Sequence, residues 1–117
     1  MTQKVITINN QQFPVVFTMD TLMNFEEIVN KSFFESDFKT FKDRMALVIA
    51  AVITADEKTT LTIEMLKGNG DFAAMQQIIT AFNVVMELSG EFFKIPAVEP
   101  KDEKPAEETE GDDKPKN

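Results

Sequence analysis

Three acidic pairs are the residues in this chain whose type and spacing could do acid–base or metal chemistry: Glu26-Glu27, Glu35 with Asp37, and Asp56-Glu57. Paired carboxylates can divide acid and base roles or hold a hard cation. A working site needs a second kind of group beside them, and the composition withholds most of the choices. The chain has no His and no Cys, and Arg44 is its only arginine. That removes the usual general base near neutral pH, the thiolate nucleophile, the two commonest transition-metal ligands and a bidentate phosphate clamp built from paired arginines. The stretch GNGD at 68–71 lacks the Lys-Ser/Thr of a phosphate loop. It also lacks the alternating oxygen ligands and distal Glu of a calcium loop. A helix stop followed by an N-cap explains it. The acidic pairs then read as solvated helix faces and turns, as charged residues usually do. The expectation is a protein that is not an enzyme, with no cofactor and no metal.

The elements that would carry these residues begin with two β-like runs, KVITI at 4–8 and QFPVVF at 12–17, around NNQQ. Asn9-Asn10 can take the positive φ of a tight hairpin turn. Pro14, lacking an N–H, belongs at an edge or on the solvent side. Thr18 is the expected N-cap of a first helix that runs to Asn30 or Lys31 with Leu22, Phe25, Ile28 and Val29 inward. KSFFES connects it to a second helix, capped by Ser36 or Asp37, with Phe38, Phe41, Met45, Val48 and Val52 at steps of three and four. Within that helix MALVIAAVI is apolar nearly all round, which marks a central, covered element. A short helix in LTIEMLKGNG follows. Asp71 then caps a last helix with Phe72, Met75, Ile79, Phe82 and Met86 inward, packing on the central one and ending near Ser89-Gly90. The fold class expected is α+β, an N-terminal β-hairpin and about four α-helices in one domain over 1–95.

From Pro96 the composition changes to Pro, Glu, Asp and Lys, and a segment of that kind buries too little apolar surface to offset its ordering entropy. Residues 96–117 are therefore expected to form a disordered acidic tail. The net charge is −8. Residues 97–117 contribute −4 of it from eight acids and four lysines, so a basic nucleic-acid footprint is absent from both parts. No apolar run reaches the ~20 residues of a membrane span. A cytoplasmic protein with no nucleic-acid or membrane partner is the expectation.

What remains for function is apolar. Phe33-Phe34 and Phe92-Phe93 each place neighbouring rings at the end of an element, and adjacent residues on a helix or strand cannot both face one core. Either one ring of each pair is exposed, or irregular backbone turns both inward. Met19, Met23, Met45, Met65, Met75 and Met86 pose the same choice between gap filling and an adaptable apolar surface. Phe33, Phe34, Phe92, Phe93, Met19 and Met23 are the candidate partner-binding residues.

The stretch VITINNQQFPVVFTMDTLMNFEEIVNKSFFE resembles the N-terminal half of the tail assembly chaperones of long-tailed phages and prophages. The resemblance rests on a hairpin around a polar turn, Phe17-Thr18, Leu22 with Phe25-Glu26, and the exit Asn30-Lys31-Ser32, where Asn30 stands in place of a common Gly. It covers about residues 4–35. It implies a non-catalytic chaperone that coats the helical tape measure protein before the tail tube polymerises, with no cofactor. A homo-oligomer is compatible with it. Two other readings stand beside this one. A structural tail or connector subunit would build rings or tubes by strand addition, which usually needs more β-structure than one hairpin. A small acidic inhibitor or DNA mimic would need an ordered carboxylate ladder, whereas half the excess charge lies in the tail.

Overall fold

The computed structural model describes residues 2–94; the 96–117 segment expected to be disordered lies outside them. Strands β1 (Gln3–Ile8) and β2 (Gln11–Val16) form an antiparallel hairpin. It is followed by α1 (Met19–Val29), a 3₁₀ turn (Phe33–Glu35), α2 (Phe41–Ala55), α3 (Ile63–Lys67) and α4 (Phe72–Phe92). The α+β architecture of one hairpin and four helices is the one expected from the sequence.

The hairpin closes on Asn9 and Asn10 at φ 53° and 67°, the left-handed pair that a type I′ turn requires and that Asn tolerates. Its register sets Ile6 against Phe13 and Lys4 against Val15 on the inner face. Val5 opposite Pro14 falls on the outer face. At α1, the Thr18 hydroxyl accepts from the Asp20 amide and the Thr21 hydroxyl accepts from the Thr18 amide, which closes the cap reciprocally. Asn30 ends the helix in the left-handed region at φ 59°. Phe25 is fully buried, and Leu22 and Val29 pack against the core, but Ile28 is exposed. Its place inward is taken by Thr21, whose hydroxyl lies 2.9 Å from that of Thr54 on α2.

Helix α2 is the centre of the molecule. Met45 through Val52 are all buried, and the helix touches β2, α1, α3 and α4. It begins later than the sequence suggests. Thr40, not Ser36 or Asp37, is its N-cap, and Phe38 lies outside it at φ 56°. The reason is local competition: Ser36 Oγ accepts from the Phe38 amide at 3.0 Å and Asp37 Oδ1 from the Lys39 amide at 3.0 Å. Both caps are spent on turns that hold the backbone away from helix.

Helix α4 also differs from expectation. Its core face is Ala74, Ile78, Ala81, Phe82, Val85 and Leu88, whereas Phe72 and Met86 are exposed and Met75 and Ile79 only half-buried. Two overlapping stripes of period 3.6 exist on this helix, and the one carrying Ala wins because small residues let α4 approach the Ala-rich surface of α2. The helix passes Gly90, which keeps a negative φ, and ends at Phe92. Gly68 and Gly70, at φ 53° and 70°, do terminate α3, and Asp71 caps α4 by accepting from the Ala74 amide at 3.0 Å.

Candidate functional site

Of the acidic pairs, Glu35, Asp37 and Asp56 accept local backbone bonds, and Glu26, Glu27 and Glu57 stand exposed on the surface. Glu35 Oε1 accepts from the Ser32 amide at 2.9 Å and Asp56 Oδ1 from the Lys58 amide at 3.0 Å. Among the described residues no group of three or more acidic, His or Cys side chains is arranged to hold a metal ion. The surface that stands out is aromatic.

It starts with Ser32. Its hydroxyl accepts from the Phe34 amide at 3.2 Å while Glu35 caps the Ser32 amide. This fixes one 3₁₀ turn that sends Phe33 inward, where it is buried, and Phe34 outward, 72% exposed. The second pair is set by α4. Phe92 is the last helical residue, and Phe93 caps the helix with its amide donating to the Ser89 carbonyl at 2.9 Å. Both rings are about 40% exposed. The Phe33-Phe34 pair, on a turn, puts one ring in and one out, whereas the Phe92-Phe93 pair, at a helix end, does neither and leaves both rings half-exposed.

The two pairs meet. Phe33 packs on Phe93 at 5.9 Å between ring centroids, and Phe34 on Phe93 at 6.0 Å. Phe92 and Phe93 both contact Phe17, which ends the hairpin, at 5.4 and 5.9 Å. From Phe33 the chain of rings runs inward through Phe25 and Phe38 to Phe82. All these separations lie in the range favoured by offset and edge-to-face ring pairs. The exposed rings are therefore the surface end of the hydrophobic core. Beside them Thr2, Phe17, Thr18, Leu88, Glu91 and Phe92 line an open cleft of about 300 Å³. Met19 and Met23 stand one turn apart on the solvent side of α1, both largely exposed. Of the other methionines, Met45 is buried and Met65 and Met75 are half-buried against their helices.

A second groove, about 520 Å³, is lined by the apolar Ile28, Val29, Met45 and Ile63 together with Lys31 and Lys42. Its wall includes a residue whose importance the sequence did not signal. Asp43 is buried, accepts from Lys31 Nζ at 2.8 Å and takes the Ser36 hydroxyl at 2.6 Å. The Lys31 bond first, and the Ser36 bond second, hold its carboxyl below the ordinary range against the opposing effect of burial. Arg44 completes the clamp on the 31–40 connection. Its Nε donates to the Phe38 carbonyl at 2.7 Å, and its guanidinium lies 5.3 Å from the Phe41 ring centre and 5.5 Å from that of Phe82. The only arginine of the chain is thus a structural one. Its singularity was the available signal.

No helix of the described residues is long and apolar enough to cross a membrane. No family model matches the chain, and neither a curated protein nor a solved structure is significantly similar to it.

Proposed function

We propose that this chain is a non-catalytic assembly chaperone that binds an apolar helical client through the Phe34, Phe92 and Phe93 surface. The observation that carries the reading is a trio of exposed rings anchored in the core, one of which, Phe92, also lines an open cleft with Phe17 and Leu88. Large rings held in water at fixed geometry are costly unless a partner covers them, and a small patch of this kind on an acidic, well-solvated body marks an interaction surface. An amphipathic helix would lay its apolar face across the rings with one side chain in the cleft between Phe17, Leu88 and Phe92. Met19 and Met23 offer a second, deformable contact suited to a client of varied sequence. The resemblance of residues 4–35 to phage tail assembly chaperones supports a specific client, the long helical tape measure protein, met in the host cytoplasm before the tail tube closes around it.

Co-expression of the full chain with the long helical protein encoded beside it tests this. The expected result is a client that becomes soluble and copurifies at high salt, and that is lost when Phe34 and Phe93 are both replaced by Ser while circular dichroism shows the fold intact. A client that stays insoluble with the wild-type chain, or that copurifies equally with the double variant, would overturn the reading.

A further inference from the structure

The two edges of the hairpin are not equivalent. A two-residue turn makes Ile8 and Gln11 a hydrogen-bonded pair, and the alternation of the antiparallel ladder then makes Ile6–Phe13 and Lys4–Val15 the other bonded pairs. The N–H and C=O groups of Gln3, Val5 and Thr7 point away from the hairpin on the β1 side, and those of Gln12, Pro14 and Val16 on the β2 side. The β2 edge is interrupted. Pro14 at its centre has no N–H to offer and the Val16 carbonyl lies 3.2 Å from the Thr21 hydroxyl, which leaves Gln12 as the one residue of that row with both groups available. The β1 edge is open. Among the described residues no hydrogen bond reaches the outward groups of Gln3, Val5 or Thr7, all three are exposed, and Val5 at their centre is 51% exposed. The outer row of this edge carries no charge, and the strand's one charge, Lys4, lies on the inner face in an ion pair with Glu87, so the edge has neither the proline nor the outward charge that keeps strands apart.

We infer that β1 is a docking edge for the β1 strand of a second copy of this chain, in an antiparallel pair whose two-fold axis passes through Val5. In that register Val5 faces the partner's Val5, and Gln3 and Thr7 exchange partners across the axis. All three are hydrogen-bonded pairs, so every outward group of the edge is used. The charges fit. Lys4, ion-paired with Glu87 at 3.1 Å, falls opposite the partner's Ile6, so no like charges meet directly although each copy carries −8. The exposed Val5 side chains cover one another. An edge contact between six-residue strands buries less than the roughly 1,200 Å² of a stable interface, so the dimer is weak and reversible. This inference is independent of what the aromatic surface binds.

Sedimentation velocity on the full chain tests it over about 10 μM to 1 mM, the range where a contact of this size should saturate. The expected result is a monomer–dimer transition that Val5→Glu and Val5→Lys each abolish, since each sets like charges across the axis. Mixing the two variants in equal amounts should restore it. Val5 side chains and amides face away from the hairpin's own ladder, so both variants keep the fold, which circular dichroism checks. In the wild-type chain, exchange of the Gln3, Val5 and Thr7 amides should slow as concentration rises. A wild-type chain that stays monomeric throughout would overturn the inference. So would variants that associate as the wild type does, a mixture that stays monomeric, or edge amides whose exchange ignores concentration.

Discussion

The aromatic cluster has two ends built from the same residue. At the inner end Phe25 and Phe38 are closed in by α2 and α4, and Arg44 fastens the Phe38 carbonyl. At the outer end Phe34, Phe92 and Phe93 keep the same ring-to-ring spacing yet face water. Composition and local geometry do not distinguish the ends. What does is whether a helix lies across them, and among the described residues none covers the outer end. If the outer end binds as proposed while the inner end holds the fold, substitutions at the two should separate binding from stability.

The largest effect should come from Phe25→Ala. Removing a fully buried ring and leaving a cavity costs about 3–5 kcal/mol, a large part of what a domain of this size holds. Urea unfolding should show the midpoint falling accordingly, and a loss under 1 kcal/mol would mean the cluster's inner end is not the core. Arg44→Ala comes next, at about 2 kcal/mol, because it orphans the Phe38 carbonyl and removes the cation over Phe41 and Phe82. Arg44→Lys should recover only part of this, since an ammonium cannot reproduce the planar contact.

Asp43→Asn should cost about 1–2 kcal/mol at neutral pH by weakening the bonds from Lys31 and Ser36. It also carries a pH signature. The folded carboxyl titrates below its unfolded value, so its contribution is complete above about pH 4 and fades as pH falls through the lower, folded pKa. The wild-type chain should therefore lose stability faster than Asp43→Asn on acidification below about pH 4, and parallel curves would contradict this. The smallest effect on stability, within about 0.5 kcal/mol, is expected for Phe34→Ser. Client capture should nonetheless fall sharply. Equal loss of both properties would erase the distinction between the ends.

Much of this was legible in short-range chemistry. Asn9-Asn10, Thr18, Asn30, Gly68 and Asp71 each impose a backbone state through their own side chain or its absence, and each occurs where the sequence places it. The segment from Ser36 to Thr40 was not legible, because Ser, Asp and Thr are equally good caps and the third is selected by the turns that Ser36 and Asp37 close together with the packing of the Phe38 ring among Phe25, Phe33 and Phe82. The core face of α4 was obscured for a related reason. Phe72 and Met86 are more apolar than Ala74 and Ala81, but depth in α4 is decided by how closely α2 must approach. The Phe pairs were visible as an anomaly of spacing. Which ring turns outward depended on a 3₁₀ turn at Ser32 and a helix overrunning Gly90, neither of which a residue pattern encodes.

Pro14 sets a limit on assembly. A hairpin with two usable edges has a valence of two and can be extended indefinitely, one strand at a time, into a sheet or a tube wall. With Pro14 lacking a donor and Thr21 at the Val16 carbonyl, the β2 side cannot complete a ladder, and this hairpin has in effect a valence of one. Whatever strand β1 accepts, growth by that route terminates at the first addition. A chain with one usable edge can thereby pair without seeding a fibre.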